Sequence, residues 1–515
     1  MKRQDVSVIW FRRDLRLRDN EAVHAAAAHS NQCLFVFVID PWFFKQKEIG
    51  WLQVKFMFES IAALDRELTA LGNRLIVLNG NSVTALTNLL DTLNIKYQPT
   101  LFFNQDIQVT YGRERDEAVV KHCKTTDIPF QPSHNYFLLH IEKAMSGWWK
   151  QYYAYQSAEQ LPVPSIQKHN VAVNALVDKI AQLNPQTLAQ DLAIKFPRPT
   201  HDYFQGGEPE ARRAVYYFLK DRVNGYHWKL SRPYEVQQRA TSLIGPHIAF
   251  GTISTRAVYQ AATGYLNKID RIQPKKALSV SNYLDRLRWR DSFTQRLWFH
   301  PEIMWQNRFP EFDEVYKDLE LTGQQFEYFE SWKAGTTGFP LLDAAMRQLA
   351  ADGHISFRMR AMAATFLTIN CSVSWHHGAR HFMNCLVDGD IAINHWQWQM
   401  QAGVTNPLSP IFRIYSPTKN LQERDANADY VHEWLPETKG KNVETILAEA
   451  QPMLDFDQTR KVNGKVISDI RKQVRERILA EKGPELASAE KAHSITTNYK
   501  RYSEKRYRSY KSPVG

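Results

Sequence analysis

Cysteine is scarce in this 515-residue sequence: Cys33, Cys123, Cys371 and Cys385 are the four thiols, and no two form a CxxC pair. That spacing points neither to a zinc site nor to a four-thiolate cluster, and isolated buried thiols are expected. Long apolar runs are missing too. None approaches the roughly 18 residues that a membrane span needs, so no membrane partner is expected. The opening MKRQDVSVIWF lacks the apolar core and small-residue cleavage site of a secretory signal. An intracellular protein is expected, in a bacterial cytoplasm or a nucleus. No GxGxxG follows the first strand-like run, so the usual dinucleotide fingerprint is absent, and no internal repeat recurs at a fixed period.

Charge and tryptophan are plentiful. Lysine and arginine exceed aspartate and glutamate by 65 to 54, a formal net charge of +11. An excess of that size suits an anionic partner, and nucleic acid is the commonest for a large protein; a merely basic enzyme would show the same number. The fourteen tryptophans serve packing in most proteins, and in a redox protein a few can carry electrons. At 499–511, YKRYSEKRYRSYK interleaves Lys500, Arg501, Lys505, Arg506, Arg508 and Lys511 with tyrosines. Such a segment can neutralise phosphates and stack on bases, or be a solvated tail.

The chain divides by pattern. Val6–Phe11, Leu34–Ile39, Arg74–Leu78 and Leu101–Phe103 read as strands, with helix-like stretches between them. In 55–71, Met57, Ile61, Leu64, Leu68 and Leu71 recur at helical spacing before Gly72 stops the helix. Alternation of this kind predicts an α/β domain with a mostly parallel, Rossmann-like sheet covered by helices on both faces. Residues 1–135 form that domain in this reading. Residues 136–205, rich in proline, form a linker with some helix. Residues 206–490 read as a larger all-helical domain, with Pro340 in a first helical turn, and 491–515 as a basic tail.

Five segments, in order and spanning nearly the whole chain, resemble the photolyase/cryptochrome family: FRRDLRLRDNEAV (11–23), TSLIGPHIAFGTIS (241–254), LRWRDSF (287–293), TTGFPLLDAAMRQL (336–349) and DGDIAINHWQW (388–398). The resemblance implies that the helical half binds FAD. Thr241, Ser242 and the backbone of Ile244 match positions that hold the flavin phosphates, a task suited to hydroxyls and backbone donors. Gly245 stands where a serine is usual. Trp289 and Arg290 match a pair at the flavin cavity, Asp388 a carboxylate beside the isoalloxazine, and Arg360 the arginine that pairs with it. Asp390 matches a further cavity carboxylate, and Asn394 the residue beside flavin N5. Spaced by four, Asp390, Asn394 and Trp398 would share one face of a helix. Trp398 and Trp375 match the inner and middle members of the family's electron-carrying tryptophan chain, with Trp396 a rival for the inner place. The outer position falls on Thr322, which cannot carry a hole, so Tyr328, Trp332 or another aromatic would have to replace it.

The resemblance further implies light-driven repair of pyrimidine dimers in damaged DNA, cyclobutane dimers first, by electron transfer from reduced FAD. Trp289 and Arg358 keep the expected character at the lesion. Arg286 stands where a glutamate touches the bases in cyclobutane repair, and His354, Phe357, Ala361 and Met400 also depart from that pattern. Phe357 and Ala361 occupy the places of the histidine pair of (6-4) photoproduct repair. Arg286 could meet a phosphate or base carbonyl, or pair with a carboxylate; His354 could transfer protons or simply pack. A cryptochrome photoreceptor, (6-4) photoproduct repair and a DNA-binding protein without chemistry are the alternatives. LFFNQD (101–106) resembles a segment near an antenna site, so a second chromophore of folate or deazaflavin type is a further expectation, as is a monomer.

Overall fold

A computed structural model describes residues 3–107, 110–134, 136–138, 148–166, 183–409 and 412–493. The tyrosine-rich basic segment at 499–511 lies outside them.

The sheet has five strands: β1 (Gln4–Phe11), β2 (Cys33–Ile39), β3 (Leu75–Asn79), β4 (Tyr97–Asn104) and β5 (Phe130–Ser133), in the spatial order β3-β2-β1-β4-β5. Every pairing is parallel, with Val8 opposite both Leu34 and Leu101. Side chains alternate between the two faces. Ile9, Phe11, Phe35, Phe37, Val77 and Phe102 pack with α1 (Glu21–His29) and α2 (Trp51–Ala70). Val8, Trp10, Val36, Ile76, Leu101 and Phe103 pack with α3 (Ser82–Asn94) and α4 (Thr110–Thr125). A sheet buried on both sides needs apolar residues at consecutive positions, which is why CLFVFVI is buried throughout. The expected two-sided parallel architecture is thus present. Two details differ from the sequence reading. Leu71, placed on the core stripe, follows the last turn of α2 and is exposed. Strand β5 was not foreseen, because FQPS is short, half exposed and contains Pro132, a residue tolerated at a sheet edge.

From residue 206 onward the described residues contain no strand. The principal helices are α5 (Trp148–Ser157), α6 (Glu208–Tyr217), α7 (Thr255–Ile269), α8 (Pro274–Phe299), α9 (Gly323–Ala334), α10 (Pro340–Asp352), α11 (Phe357–Thr365), α12 (Trp375–Cys385), α13 (Ile391–Gln401), α14 (Pro417–Arg424) and α15 (Phe456–His493), the last broken at Gly483. The chain forms two compact units. The first comprises the described residues up to Pro301 with Gln348–Ser356 and Arg380–Ile393; the second comprises Glu302–Arg347, Phe357–Ala379 and the described residues from Asn394.

Two of the quoted motifs have structural duties inside the first unit. In the 12–20 loop, Arg16 donates to the Gly251 carbonyl at 2.8 Å and Asp19 pairs with Arg256 at 2.7 Å, tying the sheet's first turn to the segment that follows the 241–245 loop. Asn104 of LFFNQD donates to Asp14 (2.6 Å) and Asn20 (2.9 Å), and Asp106 pairs with Arg115 at 3.2 Å. Among the thiols, Cys33, Cys123 and Cys371 are buried as expected, whereas Cys385 is half exposed near His381. Burial pushes Cys33 up to about 12 and Cys123 to about 11, so both remain protonated thiols.

Candidate functional site

In the first unit the 241–245 loop turns sharply at Leu243, whose φ is +55°. Ser242 is buried and its hydroxyl accepts a long bond, 3.4 Å, from the Ile244 N–H, while Thr241 is half-buried. Gly245, at the place usual for serine, has a physical reason to be glycine. A Cβ there would stand 2.8 Å from Asp388 Oδ2 and 2.9 Å from its Cβ. The carboxylate of Asp388 therefore occupies the space that a serine side chain would start from.

Helix α8 presents Arg290 to two carboxylates. Its guanidinium lies 2.9 Å from Asp291 and 3.5 Å from Asp390, with the Tyr136 ring 5.5 Å away. Asp291 also accepts from Gln156 at 3.0 Å. Burial alone would lower Arg290, but Asp390 and Asp291 outweigh it and hold the cation in its charged form. Burial dominates at Asp291, whose carboxyl is pushed up to about 6 despite Arg290. Sequence reasoning passed over Asp291, although it stands next to Arg290 in the quoted LRWRDSF; what it could not see was Asp390 converging on the same guanidinium.

Asp390 itself corrects an expectation. Helix α13 begins at Ile391, and Asp390 Oδ1 accepts from Ala392 N (3.1 Å) and Ile393 N (3.3 Å), so it caps the helix instead of lying on its face with Asn394 and Trp398.

Asn394 and Trp398 do share a face, in the second unit. Asn394 Nδ2 donates to the Ala379 carbonyl at 3.0 Å. The neighbouring Gly378 lies against the Trp398 ring so closely that a Cβ there would stand 2.2 Å from it. One side of α13 thus packs its amide on Ala379 and its indole on Gly378, adjacent residues of α12. Trp396, two positions from Trp398, points about 200° away at 3.6 residues per turn. Trp398 is buried and meets Trp332 edge-on, centroids 6.0 Å apart at 76°. Trp375 is also fully buried. Its face lies on His376 (3.8 Å, 24°), and its Nε1 donates to Asn307 Oδ1 at 2.7 Å. Of the outer candidates, Trp332 is fully buried and Tyr328 half-buried, while Thr322 is exposed.

The residues expected at a lesion fall in both units. In the first, Arg286 lies over the Trp289 ring at 4.3 Å, and His354 is buried against Tyr203 and Phe204, with ring centroids 5.5 and 5.4 Å away. In the second, Arg358 covers Tyr415 at 4.8 Å; burial, together with Arg424 and Arg413, lowers its pKa. Arg360 is on the same helix, α11. Phe357 is exposed and Ala361 buried.

A family profile described as the FAD binding domain of DNA photolyase matches residues 283–477, and one described as DNA photolyase matches residues 7–160, together more than half of the chain. The chain belongs to the photolyase/cryptochrome family. The deoxyribodipyrimidine photo-lyase of Buchnera aphidicola subsp. Baizongia pistaciae is 28% identical over 481 residues, 90% of this chain and 94% of that one. Cryptochrome-1 of Anopheles gambiae is 27% identical over 84% of this chain and 83% of its own. The crystal structure of the archaeal photolyase from Sulfolobus tokodaii superposes with a TM-score of 0.74 at 26% identity, covering 91% of this chain and all of that one. Photolyases and cryptochromes therefore both stand among the relatives of this photolyase/cryptochrome family member.

The residues present fit the FAD that this domain binds in the family. Trp289 Nε1 and Arg290 Nη2 are buried donors without a hydrogen-bond partner among the described residues, although Nη2 keeps its longer contact to Asp390. Buried donors of this kind call for an acceptor, and the ring carbonyls, ring nitrogens and diphosphate of a flavin supply such groups. The hydroxyls of the 241–242 turn suit a diphosphate as well.

Proposed function

We propose that this chain uses light absorbed by FAD to split pyrimidine dimers, foremost of the cyclobutane type, in DNA. The observation that carries the reading is the shared face of α13: Asn394 and Trp398 are held on Gly378 and Ala379, with Trp375 buried on the same helix α12. Bound FAD would supply the light-driven electron. Thr241, Ser242 and Ile244 would hold its phosphates, while Trp289, Arg290, Arg360, Asp388 and Asp390 would bind and polarise the rest. Asn394, fixed by the Ala379 carbonyl, would present its amide oxygen to the ring edge. Trp398 and Trp375, shut away from water, would pass electrons inward.

Damaged DNA is the proposed partner. A dimer flipped out of the stack costs less to extrude than an intact base pair, and Trp289 and Arg358 would receive it. The overall positive charge supports phosphate contacts. A second antenna chromophore in the α/β domain belongs to the same proposal.

A cryptochrome reading has one observation in its favour. Arg286 covers a face of Trp289, the ring that would otherwise stack on a lesion, and no glutamate stands in its place. The test is repair of defined oligonucleotides by the reduced protein under blue light, with cyclobutane and (6-4) lesions side by side and dark controls. Light-dependent restoration of thymines from the cyclobutane lesion is expected. Repair of neither lesion by a protein whose flavin still photoreduces would remove the enzyme reading and leave the photoreceptor.

A further inference from the structure

Trp375 is fully buried, so a hole that reaches it needs a route to solvent. We propose that Trp305 is the solvent-facing end of the electron path through Trp375, an assignment that rests on the light-driven reading above. The segment 305–307 touches Trp375 by two routes. Asn307 accepts the indole Nε1–H at 2.7 Å, and His376, stacked on the indole face at 3.8 Å, bonds through Nε2 to the Trp305 carbonyl at 3.1 Å. Trp305 is the aromatic residue of that segment, and it is 46% exposed.

The alternatives are less well placed. Trp332 is fully buried, without the solvent exposure that an outer carrier needs, and it meets Trp398 and Phe329. Tyr328 is half-buried on α9, where its hydroxyl accepts from Gln324 at 2.8 Å. Burial and the nearby Cys371 and Glu327 raise its phenol, which hinders the proton loss that tyrosine oxidation requires.

Hydrogen bonding also favours outward transfer. Trp375 donates to an amide oxygen, which is no base, and Asn307 is itself fixed by donating to Asp313 (2.7 Å) and the Tyr316 carbonyl (2.8 Å). A hole on Trp375 keeps its proton and is not trapped as a neutral radical. With FAD bound to supply the light-driven chemistry, Trp398 would give up one electron, Trp375 would refill Trp398, and Trp305 would refill Trp375. Trp305 is left one electron short, loses its Nε1 proton to water, and recovers an electron and a proton from a thiol in solution.

The experiment uses the full chain with FAD bound, under blue light with dithiothreitol, comparing wild type with Trp305→Phe, Trp375→Phe and Tyr328→Phe. Photoreduction should slow at least tenfold in W305F and W375F and stay unchanged in Y328F. A second readout does not depend on activity. After illumination in air without thiol, peptide mapping should find Trp305 oxidised well beyond the similarly exposed Trp51 (45%) and Trp228 (42%), and the excess should vanish in W375F. If W305F photoreduces at the wild-type rate, or Trp305 is oxidised no more than Trp51, the assignment is wrong. If W375F is blocked while W305F is not, the light-driven reading stands and only the outer residue changes. A wild-type protein that binds FAD and never photoreduces it overturns the electron path through Trp375, while repair by the chemically reduced protein decides the light-driven reading separately.

Discussion

Asp291 is fully buried beside Arg290, and its carboxyl is nonetheless pushed up to about 6. The native state therefore binds this proton more tightly than the unfolded chain, whose value is near 3.8. Unfolding free energy contributed by this group is greatest below about pH 4, falls as pH rises through 6, and is flat above it. A shift of roughly two units corresponds to about 3 kcal/mol. Asp291→Asn should remove that fall, so urea-unfolding curves of variant and wild type should diverge in their pH dependence between pH 4 and 7. Parallel pH profiles would show that Asp291 titrates normally. Candidate residues at this scale could be named from the sequence where a motif carried them, as with Arg290, Asn394 and Trp398. Asp291 and Trp305 could not. Their surroundings come from Asp390 and Gln156 in one case and His376 in the other, and only the fold brings these together.

The TTGFPLLDAAM motif shows what one element needs. Asp343, in the first turn of α10, accepts from Thr337 N (2.8 Å), Thr337 Oγ1 (2.6 Å) and Gly338 N (3.0 Å). Asp343→Ala would leave buried donors without acceptors and should cost roughly 3 kcal/mol, read as a lowered urea midpoint; Asp343→Asn should lose less. Equal losses for the two variants would argue against the hydrogen bonds and for packing. Elements with strong periodicity were readable: the β1 to β4 strands, the α2 stripe as far as Leu68, and Pro340 at the start of α10. Those without it were not. Strand β5 has no apolar run, and Asp390 has the same i+4 spacing whether it lies on a helix or caps one.

For the molecule as a whole, the net charge of +11 makes a quantitative demand. Affinity for a dimer-containing duplex should fall steeply and linearly on a log–log plot against salt, and Arg358→Ala should reduce the slope by about one if the guanidinium neutralises a phosphate. Fluorescence anisotropy across a salt series checks this, and a salt-independent affinity would detach the charge from DNA binding. The division of the chain into units has a consequence for how it is made. Val387 belongs to the same apolar cluster as Phe56, Leu243 and Phe250, its N–H bonds the Gly353 carbonyl, and Gln53 bonds the Gly389 carbonyl. The first unit thus borrows its last pieces from beyond residue 379. At the roughly 5–20 residues per second of translation, a ribosome that has finished Pro301 needs several seconds more to deliver Val387. Through that interval the nascent chain holds an open apolar seam, and its first half waits for a part that the second half carries.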